Sequence, residues 1–136
     1  MIAAIPLTIV PLVLFNLLGI IYGGSPWGNV VFELPLIAGA AQMTLGDLMV
    51  ILGIVMLFFE MLKAARPGPR TIINHLVSTG VFVVYLVEFI VAGVAANATF
   101  FILTLIAAFD VAAGFTVSIR TSTRDIAFGQ TIDGPM

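Results

Sequence analysis

Residues 71–120 read TIINHLVSTGVFVVYLVEFIVAGVAANATFFILTLIAAFDVAAGFTVSIR, two apolar runs separated by a small-residue turn at residues 95–97. A helix that crosses a bilayer needs about 20 mostly apolar residues, and each run reaches that length. Each run also carries one carboxylate well inside it, Glu88 in the first and Asp110 in the second. An ionisable group at membrane depth costs roughly 2.5–3.5 kcal/mol on insertion scales, and it marks a site or a buried partner.

The rest of the chain has the same character. Of its 136 residues 61% are hydrophobic and only 9% charged, with a mean hydropathy of +1.22. Soluble domains carry about 25% charged residues, so this composition is that of a membrane protein. Four apolar segments, at residues 2–22, 45–62, 71–93 and 99–119, predict an all-α integral membrane four-helix bundle over residues 1–126. Residues 127–136, polar and glycine-bearing, read as a flexible C-terminal tail. The first segment lacks the basic start and small-residue end of a signal peptide and reads as a retained helix, with Pro6 in its first turns and Pro11 set to kink it.

Residues 23–46 form the one long connection. Gly-Gly-Ser-Pro is turn chemistry, and Trp27 suits a membrane–water boundary. VVFELPLI and AAQMTL then flank a small-residue turn, which reads as a short amphipathic hairpin or loop on the interface, with Pro35 restricting its strand to an edge. Glu33 reads there as a solvated loop acid. At the start of the second span Thr44 is a candidate N-cap, with Asp47 in the first turn. Pro67-Gly68-Pro69 ends that helix, and Glu60 and Lys63 near its end read as a surface i,i+3 pair.

All five bases fall on one side of a four-span arrangement. Lys63, Arg66 and Arg70 lie between spans two and three, and Arg120 and Arg124 follow span four. The positive-inside rule therefore puts both termini and the basic turn in the cytoplasm.

Candidate chemistry is sparse. Glu88, Asp110, Tyr85, Ser78 and Asn16 are the polar residues placed to form a buried site. Ser78, Tyr85 and Glu88 share one helical face, and Asn16 reads as a hydrogen-bonding contact to a neighbouring helix. Ala107, Asp110, Gly114 and Ser118 share a face of the fourth span, where Ala107, Gly114 and Ser118 allow close helix packing. His75, the one histidine, reads as a helix cap or headgroup contact. Cysteine is absent, which excludes disulfides and thiolate sites. No nucleotide-binding glycine loop, zinc-protease motif or serine-hydrolase elbow occurs, so neither an enzyme nor a cofactor is expected. Seven acids against five scattered bases give no nucleic-acid surface.

The blocks E-x-x-K-A at residues 60–64, V-E-F at 87–89 and D-x-x-A-G-F at 110–115 resemble a family of small four-span bacterial inner-membrane proteins. The resemblance covers residues 44–126. It implies bacterial origin and topology, and it implies no reaction. The expected role is a non-enzymatic accessory or assembly subunit of a larger membrane complex, or a self-associating bundle, whose partners are the lipid bilayer and other membrane subunits or copies of itself. The alternative is a proton- or cation-conducting oligomer using Glu88 and Asp110.

The segregation of bases makes a direct prediction. A reporter fused after Arg124 should behave as cytoplasmic and one inserted at Gly28 as external; a periplasmic C-terminus would overturn the arrangement.

Overall fold

The computed structural model describes the backbone of residues 5–23, 25–64 and 70–132, and the side chains of residues 5–23, 25–63 and 72–116. The chain is mostly helical. Helix α1 (Ile9–Ile21) leads through a 3-10 turn (Pro26–Gly28) into a hairpin of strands β1 (Val30–Leu36) and β2 (Gly39–Thr44). Helices α2 (Leu45–Ala64) and α3 (Arg70–Val91) follow, then a second 3-10 turn (Gly93–Ala95) and helix α4 (Ala98–Ile132). Three helical stretches, Leu45–Lys63, Ile72–Val91 and Ala98–Thr116, are long and apolar enough to cross a membrane.

The first segment differs from its expected form. Instead of a helix over residues 2–22, α1 has 13 residues and begins only at Ile9. At 1.5 Å per residue it is about 20 Å long, short of a hydrocarbon core of about 30 Å. Pro6 accounts for the late start, because it has no N–H to donate and its ring crowds the preceding turn. Residues 1–4 lie outside the described residues, as does the proline turn at 67–69. At the other end α4 runs 35 residues, so its backbone stays helical beyond the apolar span, through Ile132. No proline interrupts residues 98–132, and a formed helix adds residues more cheaply than it nucleates.

Local signals fix the helix starts. Thr44 and Asp47 make a reciprocal capping box, in which Asp47 N–H donates to Thr44 Oγ1 (3.1 Å) and Thr44 N–H donates to Asp47 Oδ2 (3.0 Å). Asn97 caps α4, its Oδ1 accepting from Phe100 N–H at 2.9 Å.

Contacts along the helices give their directions. Gly46 lies against Thr99, and Gly53 against Leu103 and Ile106, so α2 and α4 run parallel. Phe89 meets Phe101 at one end of α3 while His75 meets Phe115 at the other, so α3 runs antiparallel to α4. Phe15 of α1 packs on Phe100 at a ring distance of 4.8 Å and stacks on Trp27 at 3.9 Å. Tyr85 adds a third ring to Phe100 at 5.4 Å. Such pairs contribute about 0.5–1.5 kcal/mol each beyond area burial. Trp27, read as a boundary residue, is instead buried within this aromatic group at 4% exposure.

Side chains at helix contacts are small where backbones approach. A Cβ on Gly114 would stand 2.6 Å from His75 Cε1, and one on Gly53 would stand 2.8 Å from Leu103 Cδ2. Ala107 is buried, whereas Leu105 is exposed on the outer surface of α4. The side chain of Ser118 lies outside the described residues. Gly114→Leu should therefore be far more damaging than Leu105→Phe. Thermal unfolding of the purified variants in detergent should show a large loss for the first and little change for the second.

Candidate functional site

The interior holds an uneven distribution of polar groups. Thr8, Glu60, Asn74, His75, Ser78, Thr104 and Asp110 are all buried at 6% exposure or less. Apart from Thr104, they gather where the start of α1 meets α2, α3 and α4.

Glu60 is the centre of the first group. Its carboxyl is 1% exposed, which corrects its reading as half of a surface pair. Oε1 accepts from Leu7 N–H at 2.6 Å and from Lys63 Nζ at 2.9 Å, while Oε2 receives a long contact from Asn74 Nδ2 at 3.5 Å. Lys63 Nζ also donates to Ile5 O at 2.8 Å. The pair on α2 thus satisfies the chain just before α1, where the helix supplies no partners of its own. The sequence spacing correctly put both side chains on one face. It could not show that this face turns inward against residues 5–8.

Asp110 is the centre of the second group. Its side chain lies beside the hydroxyls of Ser78 on α3 and Thr8 before α1, and it feels the charges of Glu60 and Lys63. Asp110 Oδ2, Ser78 Oγ and Thr8 Oγ1 are nevertheless buried without a well-formed hydrogen bond, and so is Asn74 Oδ1. The backbone of Thr8 is held separately, its carbonyl accepting from Tyr85 Oη at 2.7 Å.

His75 belongs to the wall of this region. It is 5% exposed, with its ring over Gly114 and 5.6 Å from Phe115, so it is neither an exposed cap nor a headgroup contact. The neighbouring glycine is what makes room for the imidazole.

Glu88 stands apart from Asp110. It is half-buried beside Asn16 of α1, within the field of Tyr85, while Asn16 Nδ2 also donates to Leu12 O at 3.0 Å. Of the five residues expected to share a site, Asp110 and Ser78 therefore meet directly. Tyr85 supports the adjoining backbone, and Glu88 and Asn16 form a separate group nearer the hairpin end. Glu60, Thr8 and Asn74 were missed as members. Pro6 and Pro11 carried the available signal for Thr8, because prolines so close to a helix start leave backbone that other side chains must satisfy.

Among the described residues no cluster of three or more His, Cys, Asp or Glu side chains could hold a metal ion. A shallow cleft of about 420 Å³ between the ends of α3 and α4 is lined by Phe89, Ala96, Asn97, Ala98 and Phe101 and offers no ionisable group.

The Glu60–Lys63 pair predicts an asymmetric mutational response. Lys63→Met leaves a buried carboxylate unpaired and should cost about 3 kcal/mol, the low end of the range for broken buried pairs because Lys63 keeps a quarter of its surface exposed. Lys63→Met combined with Glu60→Gln should recover much of that loss. Chemical unfolding of both variants checks this, and equal losses would show that the charge is not what matters.

No protein-family model, curated protein or solved structure matches the chain.

Proposed function

We propose that this chain is a non-enzymatic integral protein of a bacterial inner membrane that works by assembly, as a small subunit of a larger membrane complex or of its own oligomer. Both termini lie on the cytoplasmic side in this reading, with the hairpin outside. The topology rests on the segregated bases. The role rests on one observation, the hairpin.

Strands β1 and β2 pair antiparallel, with Phe32 opposite Met43, Leu34 opposite Ala41 and Leu36 opposite Gly39. Successive residues of a strand point to opposite faces, so these six share one wholly apolar face. The other face bears Glu33 opposite Gln42, joined by a hydrogen bond of 3.1 Å, and Pro35 opposite Ala40. Every residue of β1 is exposed, Leu36 at 60%, and Ile37 at the tip is wholly so. A two-stranded hairpin by itself is at best marginally stable in water. An exposed apolar strand face with open edges is a template for another chain. The hairpin joins α2 directly through Thr44 and Leu45, so a partner held there would be held against the bundle.

The Phe32→Ser, Leu34→Ser double variant tests the role. Chains extracted in native nanodiscs should lose their co-purifying subunit or their oligomeric mass, while the unfolding temperature of the helical part stays within a few degrees of the parent. A parent chain that is already a lone monomer in native nanodiscs would sink the proposal.

A further inference from the structure

The hydroxyls around Asp110 are placed unlike other helical hydroxyls among the described residues. Thr79, Thr104 and Thr116 each donate a hydroxyl to the carbonyl four residues earlier, at 2.8 Å, which satisfies them within their own helix. Ser78 sits on the same helix as Thr79 and has the same option. Its Oγ instead turns to Asp110 and lies buried there without a well-formed hydrogen bond, and Thr8 Oγ1 does likewise from the residue before α1. Asn74, one turn before Ser78 on α3, contributes a fourth unpartnered oxygen, Oδ1. All four residues are at least nine-tenths buried.

From this geometry we infer a binding site for a monovalent, sodium-class cation formed by Asp110, Ser78, Thr8 and Asn74. The donors are all oxygens, one of them a carboxylate, which is the ligand set hard cations select. Charge points to a single positive unit. Glu60 and Lys63 neutralise each other at 2.9 Å, and Asp110 has no such cation of its own among the described ion pairs. One monovalent ion balances Asp110, whereas a divalent ion would leave a buried excess of charge. This site is independent of the hairpin and of assembly.

Purified protein in nanodiscs at constant ionic strength, with sodium chloride replacing choline chloride, provides the test. Unfolding temperature and the fluorescence of Trp27, which is stacked on Phe15 of α1, are read together. Sodium should raise the unfolding temperature by several degrees, saturably, and potassium should do much less. A proton competes for Asp110, so the half-saturating sodium concentration should rise as pH falls. Among the described residues the other titratable groups facing this region are Glu60 and Lys63 from α2 and His75 and Tyr85 from α3, and α1 supplies none. Asp110→Asn should abolish the sodium response, and Glu88→Gln should leave it intact. Thr8→Val keeps the shape but removes one oxygen, and it should raise half-saturation at least tenfold; it decides the matter if Asp110→Asn fails to fold. Identical behaviour in sodium, potassium and choline would overturn the site. So would a pH-dependent transition that Asp110→Asn removes but sodium never shifts, which would make Asp110 a proton site only.

Discussion

A carboxylate buried at 1% exposure against a backbone N–H is the constraint on which the rest of this fold depends. Residues 5–8 precede the first residue of α1; Pro6 O and Leu7 O accept from the N–H groups of Ile9 and Val10, whereas Leu7 N–H and Ile5 O are met by side chains from α2. A buried backbone group left without a partner is costly. Glu60 accepts from Leu7 N–H and Lys63 donates to Ile5 O, so one i,i+3 pair serves both polarities of the same short segment. The pair's own attraction offsets the desolvation of its charges only because of these extra bonds. With the Tyr85 bond to Thr8 O, they fix the start of α1 against α2 and α3.

Once that start is fixed, the remaining packing follows in both directions along α1. Toward the hairpin, Phe15 enters the aromatic group with Trp27 and Phe100, and Gly46 lets α2 and α4 close beneath Trp27. Toward the bases, Thr8 comes beside Asp110 and Ser78, while Tyr85 holds its carbonyl. The same short segment thus anchors a dry aromatic end and a polar end. Their separation along the bundle explains why Glu88, near the aromatic end, does not join Asp110.

The elements legible in the sequence were those with a local cause. Helices α2, α3 and α4 follow from apolar run length, and the start of α2 from Thr44 and Asp47, whereas the Asn97 cap of α4 was not read from the small-residue turn in which it sits. The hairpin followed from the small-residue turn at residues 38–40 between two short apolar segments. What was not legible depends on which face meets which neighbour. Glu60 and Lys63 have the same spacing in a solvated pair as in a buried clamp. His75 looks like an interfacial residue until Gly114 from another helix makes room for it. Gly46 and Gly53 lie seven residues apart, a spacing that puts both on the side of α2 that α4 approaches. The shortening of α1 traces to Pro6, whose missing N–H does not register in hydropathy.

Helix α4 passes Gly114, where the His75 ring sets its distance from α3, and continues without interruption to Ile132. The 18 residues beyond Gly114 make a rod of about 27 Å. A rotation of about 10° about that contact would carry the far end through roughly 5 Å, simply from the length of the arm. The reach of that arm is thus measured from a contact in which the imidazole occupies the place where α4 has no side chain.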